Sequence, residues 1–223
     1  MNPAPSLITD LALARRLERA EACANAAFVE ARAAMQHASG AAWRDVNGTY
    51  AMFDGVASPL TQTFGLGMFA PTTDDELAAI EAFFAERGAD VVHEVAPLAG
   101  PAMLALLASR GYVPIEQTTV MHRPLTRASL AGSSKPSALA TRRIGHEELD
   151  AWAGTSVLGW GESPELAAFM REFGTITGRS RGVSCFVAEP AQAPFPPSGV
   201  AARRPHCSRR ALPTRPATAA TSP

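Results

Sequence analysis

DVVHEVAPLAGPAMLALLASRGYVPIEQTTVMHRPL, Asp90 to Leu125, sets three elements in a row. Asp90 to Val95 is rich in valine and reads as a short strand. Pro101 to Arg110 is an apolar run with proline where a first helical turn tolerates it, and Gly111 stands where the helix should stop. Val113 to Met121 reads as a further strand. Strand, helix and strand in succession predict a layered α/β unit.

Working back toward the N-terminus, residues 7 to 36 favour a helix. Leu11, Leu13, Leu17, Cys23, Ala24, Ala27 and Phe28 approximate its apolar face, and Thr9 or Asp10 is a suitable N-cap. Trp43 to Phe53 predicts a strand closed by Asp54-Gly55. Leu60 to Phe69 predicts another, with Gly65 and Gly67 inside it as a bulge or close backbone approach. Thr73 and Glu76 have capping-box spacing ahead of a helix with Leu77, Ile80, Phe83 and Phe84 on its apolar face, and Arg87-Gly88 ends it. The predicted class is α/β, with a mixed α+β sheet.

Thr126 to Ala138 is polar and broken and reads as a linker. A second unit follows: a strand from Leu139 to Ile144, helices over 146–158 and 164–173, and a strand from Val183 to Glu189. The expected division is 1–125, a linker at 126–138, an incomplete second unit at 139–189, and a tail at 190–223. The last strand is expected to lack a partner, and removing residues 126–223 is expected to improve solubility.

The tail has eight prolines and five arginines and no Asp, Glu or Lys. That composition predicts disorder. The whole chain uses one lysine, Lys135, against nineteen arginines, and it is rich in alanine, as a GC-rich gene would specify. Such a gene read out of frame yields Pro, Arg, Ala, Ser and Thr, so the tail is expected to be a frameshifted reading.

The tail holds five of the 20 basic residues and none of the 21 acidic ones, so the preceding chain is net acidic. This gives no electrostatic case for a nucleic-acid partner. Cys23, Cys185 and Cys207 are far apart, so neither a disulfide framework nor a metal-ligand spacing is expected. No apolar run reaches the roughly 18 residues that span a membrane. The N-terminus lacks the pattern of a secretory leader. A cytoplasmic protein is the expectation.

The stretch 90–125, with its helix ending Leu107-Ala108-Ser109-Arg110-Gly111-Tyr112 and its close on Met121-His122-Arg123-Pro124-Leu125, resembles the C-terminal half of a GNAT-type N-acetyltransferase domain. Residues 139–189 resemble the opening of a second such domain. The resemblance implies a GNAT-like acyltransferase fold in tandem. It also implies acetyl-CoA as cofactor, a small-molecule amine as acceptor, and the possibility of a homodimer.

The family holds the cofactor's pyrophosphate with a glycine-rich loop at the start of its central helix, where free N–H groups and the positive helix end meet the phosphates. Here that loop is Pro71-Thr72-Thr73-Asp74-Asp75-Glu76. Pro71 has no N–H, and three carboxylates repel phosphate. The family's proton-donating tyrosine would fall at Leu107. The first unit therefore resembles a copy without its catalytic parts. Two readings stay open: an N-acetyltransferase, impaired or inactive in this chain, and a non-catalytic module for packing, acceptor shaping or dimerisation.

Glu94 is the candidate general base, beside His93 on its strand. Gly65, Gly67 and Met68 lie where the resemblance implies backbone contacts to the cofactor's pantetheine arm. Trp160 and Glu162 lie on the helices that would shape an acceptor pocket. Each also has a plain packing role available, and no metal site is expected.

Overall fold

A computed structural model describes residues 10–125, 127, 138–160 and 163–190. The protein is mixed α/β, with two small antiparallel sheets and five helices among those residues. The predicted tail beyond its first residue, most of the linker and Glu162 lie outside the described residues; Pro190, placed in the tail by the sequence, belongs to a strand instead.

Helix α1 runs Leu11–Met35, capped by Asp10, whose side chain accepts from the Leu13 N–H at 2.7 Å. Strands β1 (Ala42–Val46), β2 (Thr49–Phe53) and β3 (Gln62–Phe64) form one antiparallel sheet in that order. Helix α2 covers Asp74–Ala85 and α3 covers Pro101–Ser109.

Alternation along β2 decides the layering. Ala51 and Phe53 join Leu66, Leu77, Ile80, Phe83, Phe84 and Met103 in one core, so α2 and α3 cover that face. Met52 points the other way and packs with Phe64 and with Ala22, Ala26 and Val29 of α1. The sheet lies between helices on both faces.

The strand predicted over Trp43–Phe53 is a hairpin. Asn47 (φ 50°) and Gly48 (φ 91°) make its two-residue turn, and the Gly48 N–H donates to Asp45 Oδ1 at 2.7 Å. Positive φ at both central positions is what a type I′ hairpin needs, and Asn-Gly supplies it. The strand predicted over Leu60–Phe69 is cut to three residues, because Gly65 and Gly67 both have positive φ and turn the chain.

The strand predicted at Asp90–Val95 reduces to a single parallel bridge between Thr63 and His93. The Thr63 N–H donates to Val92 O at 3.0 Å, and the Glu94 N–H to Thr63 O at 3.1 Å. The strand predicted over Val113–Met121 does not form. Val113, Ile115 and Met121 are 74%, 80% and 90% exposed, so this run meets neither a sheet edge nor a core.

The face of α1 that is buried also differs in part from the predicted one. Ala27 and Phe28 are buried as expected, together with Ala14, Ala22, Ala26, Val29 and Arg32, whereas Leu11, Cys23 and Ala24 are exposed. Small alanines let the helix approach the sheet closely.

In the second unit, β4 (Leu139–Arg143) and β5 (Phe186–Pro190) pair antiparallel, from Leu139 opposite Pro190 to Arg143 opposite Phe186. The expectation that the last strand lacks a partner is therefore overturned: the unit's own first strand is the partner. Helices α4 (Leu149–Trp160) and α5 (Pro164–Arg179) lie between them in sequence. Ile144, Leu149, Cys185 and Val187 form a small core with Trp152. Gly174 and Gly178 of α5 face α4, where a Cβ at Gly178 would collide with Leu149.

Helix α5 also packs on α1. Phe173 lies 4.8 Å from Phe28, ring to ring, and Glu172 reaches Arg32 at 3.2 Å and Gln36 at 2.7 Å. Arg32 Nε in turn donates to Asp54, whose other carboxylate oxygen accepts from Ser58 Oγ at 2.6 Å.

Candidate functional site

His93 and Glu94 are adjacent on a chain held to β3 by one bridge, so their side chains enter different surroundings. His93 Nδ1 lies 2.8 Å from Thr63 Oγ1, and its ring meets Tyr112 edge-on at 4.8 Å. Its Nε2 is buried without a hydrogen-bond partner among the described residues. Burial holds the imidazole well below its usual range, at about 4, against the opposing pull of Glu81. At neutral pH it is an uncharged ring.

Behind it, Glu81 accepts from the Tyr112 hydroxyl at 3.0 Å and pairs with Arg110. The Arg110 hydrogen bond holds Glu81 below the usual carboxylate range. Burial, with the bond to Glu81, pushes the Tyr112 phenol up to about 12. His93, Tyr112 and Glu81 thus form a closed structural cluster rather than an open catalytic one.

Glu94 is different. It is half-buried, and no cation or hydrogen-bond donor meets its carboxylate among the described residues. Burial pushes its pKa up to about 7, and Glu21 and Glu18 of α1 push the same way. Glu18 is itself raised by burial, although it accepts from the Gly65 N–H at 3.2 Å. Three carboxylates from two chain segments thus share one neighbourhood without a counter-charge. Such a group can take up a proton near neutrality or hold an organic cation. No group of His, Cys, Asp and Glu among the described residues is arranged to hold a metal ion.

The backbone around Gly65, Gly67 and Met68 is engaged within the chain. The Gly65 N–H goes to Glu18, the Met68 N–H to Gly65 O at 3.1 Å, and Met68 O accepts from Arg15 Nε at 2.6 Å. A Cβ at Gly65 would lie 2.9 Å from Phe69, and one at Gly67 3.0 Å from Met103. These glycines are required by the tight turn and its close packing.

The start of α2 does not fit a pyrophosphate. Thr73 Oγ1 accepts the Glu76 N–H at 3.2 Å, and Glu76 Oε2 accepts the Thr73 N–H at 2.8 Å, closing a capping box. Asp74, Asp75 and Glu76 place three negative groups in the first turn. The cap takes the Thr73 and Glu76 N–H groups, and the three carboxylates of the first turn oppose a phosphate. Leu107, at the position of the expected proton donor, is buried in the core.

Trp160 stands at the C-terminal end of α4, 64% exposed, and is not brought to Glu94 by any contact among the described residues. Glu18 and Glu21 were not foreseen as partners of Glu94. On sequence they are two charges on the polar side of a helix, and only the packing of α1 against the sheet brings them to it.

No helix among the described residues is long and apolar enough to cross a membrane. No family model matches the chain, and no curated protein or solved structure matches it either.

Proposed function

We propose that the chain is a GNAT-type N-acetyltransferase relative whose first unit retains the amine-acceptor side of the site and has lost the acetyl-CoA side. The observation that carries this is the placement of Glu94. It lies where β3 and the 90–95 segment part after one bridge, unpaired and next to Glu18 and Glu21. A small primary amine is an ammonium ion at neutral pH. Its charge complements three carboxylates that no cation neutralises. Docking the ammonium favours ionised Glu94, whose carboxylate then lies in position to accept a proton from the nitrogen.

No acyl-transfer step follows from the rest of the unit. The α2 N-terminus is closed by its own cap, and Leu107 has no proton to give. The function that fits this chain is amine binding and acceptor shaping, while acetyl transfer to a small amine is the activity its architecture derives from. The second reading, direct catalysis by this chain, rests on the near-neutral Glu94 alone.

Titration calorimetry with putrescine, and an assay for thiol release from acetyl-CoA in its presence, separate these readings. Putrescine heat at pH 8 that disappears in Glu94→Gln, with no putrescine-dependent release of CoA, is the expected result. Putrescine-dependent CoA release by the intact chain would favour the catalytic reading and overturn the account of the α2 end. No putrescine binding would remove the acceptor role.

A further inference from the structure

We infer that a groove along α1, next to the helix face that carries Glu18 and Glu21 but lined by no carboxylate itself, binds an organic phosphate carrying a flat apolar body, such as a purine nucleotide. The groove has a volume of about 630 Å3 and is lined by α1 and by Phe69. It is shallow and largely open to solvent, so a ligand in it keeps one face in water.

Its charge is what distinguishes it. Arg15, Arg16 and Arg19 all line it, and no carboxylate does. None of the three has a carboxylate within ion-pair distance among the described residues. Arg32, Arg110 and Arg142 each do.

Two of the three guanidiniums are held in place. Arg19 lies between two rings, 4.6 Å from the centre of Tyr50 and 4.0 Å from that of Phe69, and donates to Gly48 O at 3.1 Å. Arg15 Nε is fixed on Met68 O. Each bond uses one donor of a guanidinium that has five, so N–H groups remain for a ligand. Arg16 is exposed. Planar, pre-oriented forks without a counter-ion suit phosphate oxygens, which accept from them bidentately. Leu13, Leu17 and Phe69 supply an apolar floor that inorganic phosphate alone would leave wet. The chain is net acidic overall, so this cationic groove is a local feature.

Cys23 lines the same groove and is exposed, which provides a direct readout that does not depend on any activity. The full chain is alkylated with iodoacetamide, and the rate at Cys23 is followed by peptide mass spectrometry, apart from Cys185 and Cys207. ADP at millimolar concentration is expected to slow alkylation of Cys23 severalfold. Adenosine or inorganic phosphate at the same concentration is expected to have little effect. Arg16→Glu removes an exposed charge and leaves the anchored Arg15 and Arg19 in place. It is expected to raise the ADP concentration needed about tenfold, with an unchanged circular dichroism spectrum. Absence of protection by ADP, equal protection in Arg16→Glu, or equal protection by phosphate alone would each overturn the assignment.

Discussion

The two units cover their sheets differently. In residues 10–112 the β1–β2–β3 sheet is packed on both faces, by α1 through Met52 and Phe64 and by α2 and α3 through Ala51 and Phe53. In residues 138–190 a two-stranded ladder has one small core of Ile144, Leu149, Cys185 and Val187, and Phe186 is exposed. Two isolated strands are marginal in water. The second unit compensates by leaning on the first. Phe173 meets Phe28, and Glu172 joins the Arg32–Asp54 pair. Stability is therefore expected to flow from the first unit to the second.

The largest effect tests the stronger partner. Phe84 is fully buried between α2 and the sheet, so Phe84→Ala should cost about 3–5 kcal/mol, and urea unfolding should lose both units together. Arg32 comes next. Its side chain and that of Asp54 are almost wholly buried, and Arg32→Met leaves the Asp54 carboxylate without its cation. About 3 kcal/mol should be lost, and Arg32→Met with Asp54→Leu should recover part of it. Removing residues 126–223 uncovers Phe28 and takes Glu172 from Arg32. The truncated protein should melt lower and be less soluble, opposite to what the unpaired-strand reading of the sequence implied.

Legibility followed the range of the interactions. Helix α2, its capping box and the stop at Arg87-Gly88 were readable because Thr73, Glu76 and the apolar positions act within a few residues. The hairpin carried a local signal as well, Asn47-Gly48, inside the stretch read as one strand. The face of α1 was readable only in part, at Ala27 and Phe28. Leu11, Leu13 and Leu17 outweigh Ala22 and Ala26 in any hydropathy pattern, yet close approach to the sheet favours the alanines. Val113–Met121 has strand composition, but strand formation needs an edge, and nothing in the local sequence states whether one is free. Glu94 was legible as a residue, while its setting beside Glu18 and Glu21 depends on a tertiary contact.

His93 and Glu94 carry the comparison down to neighbouring residues. Glu94 has its folded-state pKa raised to about 7. Its carboxyl keeps its proton in the folded chain and loses it in the unfolded one between about pH 4.5 and 7, so its contribution is full at low pH and is lost as pH rises through that window. His93, lowered to about 4, works the other way: the unfolded chain binds the proton first, and stability falls as pH drops from about 6.5 to 4. The two slopes oppose each other in the parent. Glu94→Gln should remove one, leaving stability that rises with pH across 4 to 6.5, and it should stabilise the protein at pH 8. Denaturation curves at pH 4.5, 6 and 8 give the sign directly. An unchanged pH profile would mean that Glu94 is solvated and its neighbourhood with Glu18 and Glu21 is open.

The smallest effect concerns two helix starts. Helix α2 begins with Thr73 and three carboxylates, whereas α5 begins with Ser163, Pro164 and a single Glu165. Both caps satisfy one backbone N–H through a hydroxyl, Thr73 to Glu76 at 3.2 Å and Ser163 to Leu166 at 3.1 Å. Thr73→Ala and Ser163→Ala should each cost about 1 kcal/mol if the hydroxyl alone matters. The α2 end differs in that Glu76 also returns a bond to the Thr73 N–H, and Asp74 is paired with Arg110. Loss of the Thr73 hydroxyl should therefore be partly buffered at low salt, because the remaining carboxylates still face the positive end of the helix. High salt screens that support, so the Thr73→Ala deficit should grow with ionic strength while the Ser163→Ala deficit changes less. An equal salt response at the two ends would mean that the carboxylates at α2 do not stabilise its start, which would weaken the electrostatic reason for excluding a phosphate there.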